Sequence, residues 1–161
     1  MNLARKDDLK YTQNYKKQKY TYNDYLAKEG RWELLNGQFW NMAPAPYPKH
    51  QKVLFYMAKE MEKHFNCPNC EIYISPIDWK IDDENVVQPD IAIFCEEPTK
   101  QYFSKTPPLI VEVLSPSTAI KDINLKYKLY EKAGVKYYIM VEPNEEFADI
   151  FMLKNDSFEF Q

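Results

Sequence analysis

Leu109-Ile110-Val111-Glu112-Val113-Leu114-Ser115-Pro116-Ser117-Thr118 opens the stretch that decides the fold. Five of its first six residues are apolar and the remaining one is a carboxylate, which describes a strand buried on both faces. Ser115-Pro116 stops it. The following segment reads as a helix to about Ala133, closed by Gly134, a residue suited to the left-handed position past a helix end. Lys136 to Val141 is again apolar and rich in tyrosine, so it reads as the next strand. Strand, helix and strand from 109 to 141 form a βαβ crossover, which makes the two strands parallel.

Working outward, Phe147 to Leu153 reads as a further strand and Asp156 to Gln161 as the start of another. Upstream, residues 71–81 and Val86 to Phe94 each read as one strand, the second interrupted at Gln88-Pro89-Asp90. Trp32-Glu33-Leu34-Leu35 and Gln38-Phe39-Trp40-Asn41-Met42 flank Asn36-Gly37, a strong hairpin signal because both turn positions need positive φ. A helix begins near Pro48, with Val53, Leu54, Met57, Met61 and Phe65 on one face. A short helix follows Thr21. These upstream strands lie close in sequence and should form an antiparallel meander. The expected fold is therefore α/β, a mixed sheet of meander plus βαβ crossover flanked by helices.

The 161 residues suffice for one domain with a core, and 45% are hydrophobic. Residues 1–20 divide off as a basic tail, since Arg5, Lys6, Lys10, Lys16, Lys17 and Lys19 outnumber Asp7 and Asp8. The folded domain is expected over residues 21–161. Net charge is −3, which argues against a protein that coats nucleic acid nonspecifically. With three glycines the chain holds no glycine-rich phosphate loop. No stretch is apolar enough to span a membrane or to form a signal core, so a cytoplasmic location is the expectation. Cys67-Pro68-Asn69-Cys70 and Cys95 make an odd cysteine count. One CxxC lacks the second pair a zinc site needs, so it reads as a turn flanked by cysteines in a reducing compartment.

Glu112 is the most informative residue. A buried, isolated charge costs several kcal/mol, on the order of the penalty per ion in protein interiors, so it must be paired or bound to metal. Asp90 poses the same problem ahead of Ile91-Ala92-Ile93-Phe94. Two acids on neighbouring buried strands repel unless a cation or proton lies between them. A divalent metal meets that need; the alternative is that each acid pairs with a Lys or Arg. Asp122, Lys126 and Tyr130 are spaced four apart on the helix that follows Glu112, so Lys126 can reach over that carboxylate.

Gln88-Pro89-Asp90 followed by Val111-Glu112-Val113-Leu114-Ser115-Pro116-Ser117-Thr118 resembles the Uma-two-type restriction endonucleases of the PD-(D/E)XK nuclease superfamily. Trp32-Glu33-Leu34-Leu35-Asn36-Gly37, His50, Pro107-Pro108-Leu109, Lys126 with Tyr130, and Ala133-Gly134-Val135 extend the resemblance over residues 20–153. It implies a restriction-endonuclease-like core and a catalytic set of Asp90, Glu112, Lys126 and Glu33. In place of the motif lysine stands Leu114, and Lys126 takes over that role. The resemblance also implies one Mg²⁺ or Mn²⁺ held by Asp90, Glu112 and the Val113 carbonyl, with Glu33 reaching the metal or ordering its waters. Nucleic acid, DNA before RNA, is the expected partner, and a homodimer suits a nuclease that cuts two strands. The rival is a noncatalytic relative that uses the same fold for binding or assembly.

Overall fold

The computed structural model describes residues 18–42, 45–97, 101–116 and 122–161. The basic tail falls almost wholly outside these. Its last residues do not: Tyr20 N–H donates to Gly37 O at 2.9 Å, the Tyr20 and Phe39 rings lie 4.8 Å apart, and Lys19 pairs with Glu84.

The elements run α1 (Tyr22–Leu26), β1 (Trp32–Leu35), β2 (Gln38–Asn41), α2 (Pro48–His64), β3 (Glu71–Ile74), β4 (Asp78–Asp82), β5 (Asn85–Val87), β6 (Ile91–Phe94), β7 (Tyr102–Phe103) and β8 (Leu109–Val113). A π-helical turn (Asp122–Lys126) then leads into α3 (Tyr127–Ala133), followed by β9 (Tyr137–Glu142), β10 (Phe147–Lys154) and β11 (Ser157–Phe160). The Asn36-Gly37 hairpin forms as expected, with φ of 52° and 72° and Leu35 facing Gln38. Gly134 caps α3 at φ 83°, its N–H and that of Val135 taking the last carbonyls.

The strands lie in two sheets. One has the order β2-β1-β5-β4-β7, the other β11-β10-β9-β8-β6-β3. The β8–β9 pair is parallel, Val111 facing Ile139 and Val113 facing Val141, so the βαβ crossover holds. The α/β class and the mixed pairing hold as well; the division into two sheets was not expected. Each of the two strands read over 71–81 and 86–94 is broken by a proline and changes sheet there. Pro76, behind a cis peptide, separates β3 from β4, and Pro89 separates β5 from β6. Proline supplies no N–H to a ladder, so a strand ends where one falls in its middle. The two break points meet: Ser75 N–H donates to Asp90 O at 2.9 Å. The two-residue β7 had no legible signal.

Alternation along β8 explains what faces what, since successive side chains point to opposite sides. Val111 and Val113 pack with Ile91 beneath Leu54, Val53, Met57 and Met61 of α2. Ile110 and Leu114 belong to the main core with Trp79, Phe94, Phe103, Tyr130 and Tyr138. Glu112 shares their side and so points inward, toward α3. The cysteines do more than flank a turn: Cys70 and Cys95 are disulfide-bonded, one position beyond the Glu71–Phe94 pair of the β3–β6 ladder. Among the described residues no helix is long and apolar enough to cross a membrane.

Candidate active site

The inward turn of Glu112 leaves a carboxylate that is 3% exposed in an aromatic core. Its Oε1 accepts hydrogen bonds from Lys126 Nζ at 2.8 Å and from the Tyr130 hydroxyl at 2.7 Å. The i, i+4 spacing of Lys126 and Tyr130 survives although Lys126 ends a π-helical turn where a continuous α-helix was expected. Asp122 begins that turn; its side chain lies outside what is described. Burial first, and Glu112 second, push the Tyr130 phenol well above its ordinary pKa, so it remains a hydroxyl that donates.

Lys126 is itself 1% exposed and has a second carboxylate partner. Glu33 Oε1 lies 2.7 Å from its Nζ. Glu33 sits on β1, in the other sheet, and is 0% exposed. The same Oε1 accepts the Gln88 N–H at 2.8 Å. One ammonium thus bridges two carboxylates from two sheets. Each partner would be a costly isolated charge alone, and the one ammonium is shared between the two carboxylates. The pairing of Glu33 was unforeseen, yet an acid inside Trp-Glu-Leu-Leu carries the same signal that singled out Glu112.

Asp90 stands at the sheet crossing, just before β6. Its Oδ2 accepts the Val113 N–H at 2.8 Å and lies 3.2 Å from His50 Nε2. Extending the register in which Ile91 faces Val111 puts Pro89 opposite Val113. The ladder ends before that pair, and the Val113 N–H is accepted by the Asp90 carboxylate. The contact seen at Val113 is therefore through its N–H. His50, in the first turn of α2, is brought to Asp90 by packing of that helix on β8. Asp90 is more open than the buried bridge, with a side chain 15% exposed. A cleft of about 230 Å³ lined by Tyr47, Lys49, His50, Leu114, Ser115, Pro116, Pro143 and Asn144 opens on this side.

Gln88, the first residue of the Gln-Pro-Asp motif, ties the crossing to α1. Its Nε2 donates to Asp78 Oδ1 at 2.8 Å, and that oxygen also accepts the Tyr25 hydroxyl at 2.9 Å. Burial and the adjacent Asp78 carboxylate raise the Tyr25 pKa far above its ordinary value. Arg31 Nη2 donates to Gln88 Oε1 at 3.2 Å. In the sequence this glutamine is marked only by its place in the Gln-Pro-Asp motif.

Asp90, Glu112, Lys126, Glu33 and Val113 are thus gathered around the ends of β6 and β8. Among the described residues no group of three His, Cys, Asp or Glu is arranged to hold a metal. The donors expected from the sequence, Asp90, Glu112 and the Val113 carbonyl, would be two carboxylates and one main-chain oxygen. Hard oxygen donors few in number fit a cation that keeps several of its waters, as Mg²⁺ does, rather than one held in an all-protein cage.

The sequence model of the Uma2 family, described as putative restriction endonuclease, matches residues 15–160. Two uncharacterized proteins of Synechocystis are similar to the chain. One is 28% identical over 141 residues, 83% of this chain and 73% of the relative; the second is 29% identical over 129 residues, 74% and 72%. The fold is similar to the crystal structure of a putative nuclease belonging to DUF820 from Anabaena variabilis, with TM-score 0.72 over 87% of this chain and 83% of that one, at 16% identity.

Proposed function

The chain belongs to the Uma2 family of putative restriction endonucleases, and from that premise we propose that it is a metal-dependent endonuclease hydrolysing phosphodiester bonds of DNA. The observation that carries this reading is the buried bridge of Lys126 between Glu33 and Glu112, one residue from the Asp90–Val113 contact. A stable core has no need of three buried charges, whereas a phosphoryl-transfer site needs a fixed cation beside carboxylates.

Asp90, Glu112 and the main-chain carbonyl of Val113 would hold one Mg²⁺ or Mn²⁺, which when bound supplies an activated water and offsets phosphate charge. Lys126 acts as a fixed positive charge. Losing its proton would leave Glu33 and Glu112 facing one another without a cation, so it orients water or a phosphate oxygen instead of serving as base. Glu33 works behind Lys126: its carboxylate positions the ammonium and is itself held by the Gln88 amide. This assigns Glu33 a positioning role in place of a metal-ordering one. Tyr130 fixes the rotamer of Glu112 through Oε1. His50 and the Val113 amide orient Asp90 from two sides. The cleft beside Lys49 and His50 admits the strand. A homodimer of such chains would bring one site to each strand of a duplex.

The test is nicking of supercoiled plasmid by wild type, Asp90→Asn and Lys126→Met, with Mg²⁺, with Mn²⁺ and with EDTA. Metal-dependent nicking, lowered about 100-fold or more in both variants, is the expected result. Folded wild type that cleaves neither DNA nor RNA with either metal would point to the noncatalytic relative.

A further inference from the structure

A second cluster of reactive side chains lies at the far end of β6 from Asp90. Cys70 and Cys95 are disulfide-bonded across the β3–β6 ladder. Cys67 is a free thiol, and its Sγ lies 3.0 Å from Cys70 Sγ. That separation is inside sulfur–sulfur van der Waals contact, so the thiol already touches one sulfur of the bond. Three sulfurs, two of them joined and the third in contact with Cys70 Sγ, are the reactants of thiol–disulfide exchange. We propose that Cys67, Cys70 and Cys95 form an exchange site that moves the disulfide from Cys70–Cys95 to Cys67–Cys70 and presents Cys95 for thiolation by a small disulfide.

The steps balance without an external oxidant until the last. The Cys67 thiolate attacks Cys70 Sγ, a Cys67–Cys70 bond forms, the Cys70–Cys95 bond breaks, and Cys95 leaves as thiolate. The proton lost by Cys67 goes to solvent, and Cys95 can take one back. The freed Cys95 thiolate then attacks a low-molecular-weight disulfide, forms a mixed disulfide and releases one small thiolate. A thiol held in contact has a large effective concentration, so Cys67 outcompetes dissolved thiols for Cys70.

Access and charge fit this role. Cys67 and Cys70 line a cleft of about 440 Å³ with Glu62 and Glu71. Cys95 lines a neighbouring cleft of about 630 Å³ with Glu71, Glu96, Glu97 and Lys105. Cys95 is exposed, while Cys67 and Cys70 are half-buried. The sulfur that leaves is therefore the one that solvent reaches best. The carboxylate rim repels anionic disulfides and attracts cationic ones, which makes the suited partner a small cationic or neutral disulfide. The exchange replaces a link between residues 25 apart by one between residues three apart. It thereby unfastens the C-terminal end of β6 from the edge strand β3.

The test uses the whole chain in a cystamine–cysteamine buffer, with acid quenching, alkylation and tryptic mapping. Cleavage after Lys63, Lys80 and Lys100 puts Cys67 and Cys70 in peptide 64–80 and Cys95 in peptide 81–100. The expected product has peptide 64–80 linked within itself and cysteamine on peptide 81–100, the two peptides being separate. Peptides still joined, with cysteamine on Cys67, would overturn the proposal. So would purified chain with all three sulfurs bound to zinc and no disulfide. Cys67→Ser provides the second measurement: its Cys70–Cys95 link should open at least about tenfold more slowly than in wild type. Equal rates would show that dissolved thiol does the opening. Glutathione disulfide, an anion, should load Cys95 more slowly than cystamine; the reverse order would remove the carboxylate rim from the argument.

Discussion

The two halves of the candidate active site solve the same problem differently. Glu33, Lys126, Glu112 and Tyr130 are sealed from solvent, and every one is satisfied by another member of the set. Asp90 is partly open and is held by a main-chain amide and a histidine. The sealed half owes its order to mutual compensation, so it tolerates no single loss. The open half leans on backbone that exists anyway, which leaves its carboxylate replaceable without harm to the fold. That contrast teaches which residues report on stability and chemistry together and which on chemistry alone.

Removing the shared cation attacks the contrast most directly. Lys126→Met leaves two buried carboxylates facing each other, and the expected loss is about 3–5 kcal/mol in urea unfolding. An unchanged midpoint would mean that water reaches the bridge and that the half is not sealed. Tyr130→Phe removes one hydrogen bond to a buried carboxylate, and the same measurement should show a loss of about 2 kcal/mol.

The Tyr130 phenol also predicts a pH effect with a definite sign. Its pKa is raised in the folded chain, by burial and then by Glu112. The unfolded chain sheds that proton near the ordinary value of about 10, while the folded chain keeps it. The contribution is therefore fully present below about pH 10 and is lost as pH rises toward the folded value. Between pH 9 and 11 wild type should lose stability more steeply than Tyr130→Phe, by up to about 1.4 kcal/mol per pH unit. Equal slopes would place Tyr130 in contact with solvent.

Asp90→Asn should give the smallest change in stability, about 1 kcal/mol or less, because an amide oxygen can still accept the Val113 N–H. Its thermal midpoint should stay close to that of wild type while plasmid nicking disappears. A large drop in stability would erase the distinction between the two halves.

Much of this arrangement was legible because period and charge conflict in the chain. A lone acid inside Leu-Ile-Val-Glu-Val-Leu has to be paired or bound to a metal, and the place of Lys126 on the following helix pointed to one partner. The βαβ crossover followed from a run too apolar to be an edge. Other features have no local signature. Pro76 and Pro89 announce interruptions, but the decision to change sheets is made by long-range pairing, in which β5 joins β1 and β6 joins β8. Glu33 found Lys126 only through that division, since the bridge spans the two sheets. The Cys70–Cys95 link depends on a register that no reading of either strand alone supplies.

The sheet crossing at residues 88–90 also bears on how the chain could be taken apart. A cut between β6 and β7 would place Glu33, His50 and Asp90 on one fragment and Glu112, Lys126 and Tyr130 on the other. The first fragment would carry Glu33 without its ammonium, the second an ammonium with half its counter-charge. Neither piece could bury its share of the site alone, so the two should seek each other out, and a split version of this chain is a ready reporter for the meeting of whatever proteins are fused to its halves.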